Sequence, residues 1–413
     1  MALSTTSPAE HAPQRSAAFW ASLQIYPTFR MLWFSSFAAS VAQWMQSVAL
    51  GWLALTLTNS PGFVGLVAFT AGAPFLVVAP LGGALIDRVD RRRLMLGCQA
   101  LAMILALIVS VDVIGGWVQS WHLILFGLLN GSLQALLSPT QQSLVPSLVE
   151  RQDLTNAIGL MSAGQNMTRV LGPSLAGLVI GLVGTGETFV LQALALAGAF
   201  VLLLQVALPE RAPQPAGSRN PLEGLQLIAT REDLRGIFLL ASIPTLLVFP
   251  YISFLNVFAR DVLGIGAQGL GVLMAASGLG AVVGALTMAG KGRGEGMGRW
   301  LLIGTIVYCF VIMALCFSRH LIISLPILFL AGFLGAAFMV GNNASIQLRI
   351  DDRVRGRVMG AYMLTWGMMP LGALPMGFVG QHIGMPHAVF AFAAIACVLT
   401  VVLGLTNRTL RDL

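Results

Sequence analysis

Three arrangements of polar residues stand out in a chain that has few of them, and each is suited to holding or passing a charged molecule. The first is Arg169, alone in the run Asn166-Met-Thr-Arg169-Val-Leu-Gly172-Pro173-Ser-Leu-Ala-Gly177. The second is Gly83-Ala-Leu-Ile-Asp87-Arg88-Val-Asp90-Arg91-Arg92-Arg93, where a glycine and an acid-base pair lead into a basic cluster. The third is neutral: Ser36, Ser40, Trp44 and Ser47 recur every three or four residues and share one helix face. Asn130, Gln134 and Gln141 repeat that spacing further along. Bond-making chemistry is poorly supplied. The four cysteines lie singly in apolar runs without C-x-x-C spacing and read as buried thiols, and the five histidines form no H-E-x-x-H cluster. No nucleophile-base pair or phosphate-binding loop occurs at usable spacing, so no enzyme, resident metal or cofactor is expected.

The elements that must carry these residues follow from composition. Of 413 residues, 57% are apolar and 9% charged, where a soluble domain carries roughly 25% charged residues. A mean hydropathy of +0.84 agrees. Lipid must therefore be the solvent for most of the chain, which excludes a soluble enzyme or secreted module. Apolar runs long enough to cross a bilayer as helices fall at 29–57, 62–86, 94–116, 121–148, 154–183, 187–208, 236–262, 268–290, 299–318, 321–348, 356–382 and 387–407. The polar stretch Met1–Tyr26 lacks a cleavable signal, so the first run is expected to stay as the first span.

Twelve spans put both termini on one face. On that map 20 of the 23 Lys and Arg lie on the same face, which the positive-inside rule assigns to the cytoplasm. The basic excess is spread over short clusters, which argues against nucleic acid as a partner. The expected order is a cytoplasmic tail (1–28), a six-helix half (29–208), a linker (209–235), a second six-helix half (236–407) and a short tail (408–413). Ala212-Pro-Gln-Pro-Ala-Gly-Ser218 makes the linker flexible. Gly83-Ala-Leu85 recurs as Gly284-Ala-Leu286 and Gly159 as Gly360 at one constant spacing, the mark of two parallel repeats.

Arg169 lies about 16 residues, or about 24 Å of helix, beyond Asp153. An arginine so deep costs at least about 2.5 kcal/mol unless it faces a cavity or a partner, so a pathway role is the first expectation and a hydrogen-bonding hub between helices the second. A cation there suits an anionic or catecholate-like substrate. Of the acids, only Asp112, Glu187 and Asp261 map away from the cytoplasmic face. Asp112 sits deepest in a span and is the candidate proton-coupling group, with Arg169 as its candidate partner; a position at the outer interface is the other reading.

The Gly83–Arg93 run resembles the signature loop of the major facilitator superfamily, G-x-x-x-D-R-x-G-R-R, with Asp90 in place of the usual glycine. The resemblance implies a gate: Gly83 permits close helix approach, and Asp87, with Arg88, Arg91 and Arg92, meets the N-terminus of the eleventh span near Gly356 when the cytoplasmic side is shut. Charges that merely set topology are the alternative. The matching loop Gly284–Arg293 lacks the acid. Gln43–Trp52, Arg355-Gly-Arg-Val-Met-Gly360 and the Asn166–Gly177 run are similar to the enterobactin-exporter and macrolide-efflux branch. Gly172, Pro173 and Gly177 are similar to its G-P-x-x-G-G antiporter motif, with Ala176 replacing one glycine, and give a hinge or a helix-packing site.

That resemblance implies an all-α membrane protein of twelve helices in two halves, with spans one, four, seven and ten lining the pathway. Trp44, Ser40, Asn130, Gln134, Asn256, Asn342 and Asn343 are then candidate substrate contacts beside Arg169, with Tyr251, Tyr362 and Trp366 completing a neutral, aromatic lining. The same groups serve equally as interhelical glue or interface anchors. The expected function is export of amphiphilic drugs, macrolides or siderophores across a bacterial inner membrane by alternating access with proton antiport. Protons, a small amphiphilic substrate and membrane lipids are the expected partners, and a monomer the expected state. An importer, a uniporter, a lipid-handling transporter or a non-transporting sensor stays open, because the fold does not set direction.

Overall fold

The computed structural model describes residues 20–78, 89–206, 221–290, 296–365 and 367–411. All regular structure among them is helical. The N-terminal part holds α1 (Ala21–Ile25), α2 (Pro27–Thr58), α3 (Pro61–Gly72), α4 (Arg91–Ile114), α5 (Ser120–Leu148), α6 (Leu154–Leu182) and α7 (Thr185–Leu204). The C-terminal part holds α8 (Pro221–Thr230), α9 (Glu232–Leu247), α10 (Gly266–Gly290), α11 (Met297–Phe317), α12 (Leu321–Gln347), α13 (Asp352–Met363), α14 (Met368–Ile383), α15 (Met385–Thr406) and α16 (Arg408–Arg411). Local chemistry sets the ends. Ser60 accepts the Phe63 amide ahead of Pro61 at the first helical position, and Asp90 accepts the Arg93 amide at 2.7 Å.

Among the described residues nine helical segments are long and apolar enough to cross a membrane. Three expected spans do not qualify, for physical reasons. Helices α2 and α6 have the length, 32 and 29 residues, but are diluted by serine, glutamine, asparagine and Arg169. The expected 356–382 span is divided, with α13 ending at Met363 and α14 starting at Met368.

Short turns make successive long helices antiparallel, so one face of the bundle carries Asn59, Gly184, Gly264 and Gly384, and the other carries Tyr26, Asp153 and Asp351. We call them the distal and proximal faces. The buried core divides the same way. One cluster joins both parts of the chain toward the distal face, running from Met45, Ala49 and Leu53 to Tyr251, Phe254, Leu270 and Met376. Toward the proximal face two separate clusters take over, one around Phe29, Met95, Leu160 and Leu203, the other around Ile237, Leu301, Phe338 and Tyr362. A shared core toward one end and divided cores toward the other describe two bundles whose buried apolar residues merge distally, with the segment after α3 still in contact with the start of α14, Leu76 against Gly367.

Candidate functional site

A cavity of about 200 Å³ lies where the shared core gives way to the two separate ones. Its N-terminal wall presents Trp44, Ser47 and Gly51 from α2 and Arg169 from α6; its C-terminal wall presents Tyr251, Asn256, Ser277 and Tyr308. The Arg169 guanidinium carbon stands 6.0 Å from the centre of the Trp44 ring, at the outer reach of a cation-π contact. No carboxylate or hydrogen-bond acceptor among the described residues meets that guanidinium. A desolvated cation without a counter-ion is costly, and an anionic guest would relieve the cost.

The C-terminal wall owes its shape to a broken helix. After α9 the chain runs as a 3-10 segment (Phe249–Phe254), one α turn (Leu255–Val257) and a π turn (Phe258–Val262). Pro244 and Pro250 each lack the amide that a regular ladder needs, so the hydrogen-bond step changes here. The change carries Tyr251 into the cavity, where its hydroxyl lies within hydrogen-bonding reach of Ser277 and Tyr308. The Phe249 ring packs 5.5 Å from that of Tyr308.

Distal to the cavity the two parts of the chain are locked together. Within the N-terminal part, Gly172 brings α6 against Trp44 of α2, with the Val41 carbonyl 3.1 Å from where its Cβ would be. A Cβ on Gly177 would come within 2.6 Å of the Gly271 Cα and 2.7 Å of the Ala267 carbonyl, so α6 and α10 touch backbone to backbone. Asn256 donates to the Gly51 carbonyl at 2.5 Å. Arg260 donates to the Leu55 carbonyl and to Asn59 Oδ1 at 3.0 and 2.9 Å, while holding Asp261 at 2.6 Å. Ser60 donates to Gln381 Oε1 at 3.0 Å.

Several proximal hydrogen bonds among the described residues join groups of one part of the chain. Tyr26 donates to Asp153 at 2.7 Å, a bond that with burial raises the Tyr26 pKa, and Ser22 donates to Asn156. Arg92 donates to the Leu204 carbonyl. Arg231 pairs with Asp233 at 2.6 Å; burial pushes the Asp233 carboxyl up, but this bond, the backbone amides of the first turn and the Arg231 charge together outweigh it and the pKa is lowered.

Of the expected contacts, Arg169, Trp44, Tyr251 and Asn256 converge on the cavity. Ser40 lines a separate narrow recess with Trp33 and Gln165. Asn130 is buried in α5 and Gln134 half-buried there, neither on the cavity wall. Asn342 is fully buried and donates to the Tyr362 hydroxyl at 3.1 Å, tying α12 to α13, and Asn343 accepts from Gln347. The first joins two helices, as polar groups in lipid favour, and the second stays within α12. Asp112 does not meet Arg169: it lies at the distal end of α4, with His122 Nδ1 at 2.6 Å. Gly83, Asp87, Arg88 and Trp366 lie outside the described residues. Helix α6 continues through Pro173 without a break, and Gly172 and Gly177 act in close packing. Sequence reading missed Tyr308, Ser277 and the break after Leu247; the Pro244 and Pro250 pair was the available signal.

Comparison with known proteins adds the following. The family model described as "Transmembrane secretion effector" matches residues 17–412. The staphyloferrin A transporter of Staphylococcus aureus is 23% identical over 380 residues, covering 91% of this chain and 96% of that protein. The enterobactin exporter EntS of Shigella flexneri is 25% identical over 345 residues, covering 82% of each. Among solved structures, a bacterial homologue of the human lysosomal transporter Spinster, inward-facing and unoccupied, superposes with a TM-score of 0.76 at 16% identity, covering 96% of this chain and 99% of that one. The nucleoside transporter NupG gives 0.72 at 16% identity over 92% and 98%. Both structural likenesses concern the fold.

Proposed function

Because the chain belongs to the transmembrane secretion effector family of major facilitator transporters, we propose that it exports anionic, siderophore-type small molecules by alternating access, in exchange for protons. Its standing as a multi-pass membrane transporter and not an enzyme follows from the family itself. The observation that carries the substrate reading is the Arg169 guanidinium, without a counter-ion among the described residues, on the wall of an otherwise neutral, aromatic cavity. Siderophore carriers among the relatives support it.

In this reading the proximal face is cytoplasmic, because it bears most of the Lys and Arg. Two six-helix halves, 29–208 and 236–407, rock about the cavity. Divided proximal cores and a locked distal face then correspond to the cytoplasm-open state that loads an export substrate. A wider drug or macrolide range belongs to the same reading. Asp112 stands beside His122 and does not line the cavity, so a proton carried there would not pass through Arg169.

Inside-out membrane vesicles test the proposal. Labelled siderophore should accumulate in vesicles carrying the protein and leak out on adding a protonophore. Accumulation only in right-side-out vesicles would reverse the direction. Accumulation that survives the protonophore would remove proton exchange and leave a carrier driven by another gradient.

A further inference from the structure

A second void, of about 570 Å³, lies outside the transport cavity, between α4 and α5 near the distal face. Its walls are side chains turned away from the bundle: Ile108 is 57% exposed, Leu125 46%, Trp117 68% and Trp121 57%. In a membrane transporter such surface meets lipid. The apolar part of the groove runs along the two helices, and its polar part is confined to one end, where α4 stops and the turn to α5 begins.

The polar end is rigid and has one free position. His122 Nδ1 stands 2.6 Å from Asp112 Oδ2, and the second carboxylate oxygen has no protein partner among the described residues. The Trp121 indole is held by its own N–H, which donates to Gln119 Oε1 at 2.9 Å, and by an edge-on contact with the His122 ring at 4.1 Å. Trp117 folds back over Gly115, where any Cβ would come within 2.8 Å of its ring. A carboxylate oxygen and two indole rings lining one end of a groove are the chemistry that recognises an ammonium group. Tryptophan at this height also marks the lipid head-group level.

We propose that this groove holds one ammonium-headed phospholipid of the surrounding leaflet, its ammonium on Asp112 beside Trp117 and Trp121 and an acyl chain along Ile108, Leu125 and Leu129. Charge complementarity selects the occupant: an anionic head group would meet Asp112 with like charge, while an ammonium gains both a Coulombic and a cation-π contact. The site is independent of the substrate pathway, because neither Asp112 nor His122 touches the cavity.

Native mass spectrometry of the purified full chain, titrated with phosphatidylethanolamine or phosphatidylglycerol of identical acyl chains, tests the assignment. Wild type should retain phosphatidylethanolamine about tenfold more strongly. Asp112→Asn should abolish that preference, and Leu129→Trp, which fills the groove without touching the carboxylate, should lower retention of both lipids. If Asp112→Asn does not fold, Trp121→Leu serves instead and should reduce the preference several-fold. Equal retention of the two lipids by wild type, or a preference unchanged in whichever head-group variant folds, overturns the proposal. Preferred retention of phosphatidylglycerol gives the groove to an anionic lipid and overturns it as well.

Discussion

The two walls of the central cavity are built on different principles. On the N-terminal side, α2 and α6 are unbroken helices of 32 and 29 residues, in contact at Gly172 and Trp44. They hold a charge, Arg169, at a position set by tight backbone packing. On the C-terminal side part of the wall comes from a chain that passes through three hydrogen-bonding patterns in four segments between Glu232 and Val262, α10 and α11 add Ser277 and Tyr308, and the polar groups offered are hydroxyls and an amide beside aromatic rings. Regular helix carries the costly group on one side, and the irregular segment brings several of the neutral groups on the other. A carrier of anions needs both, because a charge that strays in lipid is expensive whereas a displaced hydroxyl is not.

The strongest test of this division removes the charge. Arg169→Ala should lower transport of an anionic substrate about 10- to 100-fold at matched membrane abundance, the cost of one charge-assisted hydrogen bond, with Arg169→Lys recovering part of it. Normal transport by the alanine variant would make Arg169 a scaffold residue and erase the contrast. Next in size is the seam between the walls. Gly177→Leu forces side-chain volume into the backbone contact with Gly271, and overpacking of about 1–3 kcal/mol should shift the population away from distal closure about tenfold. Spin labels at Ser60 and Gln381 would report it as a growing long-distance component; an unchanged distance distribution would mean that this seam does not hold the distal face shut.

Smaller effects are expected on the neutral wall. Tyr251→Phe removes one neutral hydrogen bond and should weaken substrate affinity only a few-fold, read by binding to the purified protein. A loss as large as that of Arg169→Ala would show that the C-terminal wall is equally committed. The smallest effect lies at the start of α9. Because the Arg231 bond depresses the Asp233 pKa, its stabilisation is complete above the usual carboxylate range and is lost as the pH falls through the lowered value. The pair is partly exposed, so about 0.2–1 kcal/mol is at stake. Melting curves between pH 6 and 3 should show a slightly smaller acid loss in Asp233→Asn; identical curves would leave the pair without a role in stability.

The membrane character, the helical class and most span positions were legible in the sequence, since they rest on length and hydropathy alone. Arg169 was legible for the same reason: one cation in a long apolar run has few inexpensive places to go. The neutral candidates fared unevenly. Trp44 and Asn256 reach the cavity, whereas the Asn342 amide donates to Tyr362, because a polar group in lipid takes a helix-to-helix partner where packing provides one. Periodicity places a side chain on a helix face, but does not say which neighbour that face meets.

The sequence by itself determined that this chain spans a membrane as helices and carries one deep positive charge, because both follow from what lipid tolerates along a single helix. Only the tertiary structure decided that Arg169 stands without a counter-ion among the described residues, that Asp112 belongs to His122, and that the helix after Leu247 changes its winding to present Tyr251. The tertiary structure also joins segments far apart in the chain, 205 residues in the Asn256 bond to Gly51 and 321 in the Ser60 bond to Gln381. Such contacts are set by shape and by competition for hydrogen-bond partners in a medium without water.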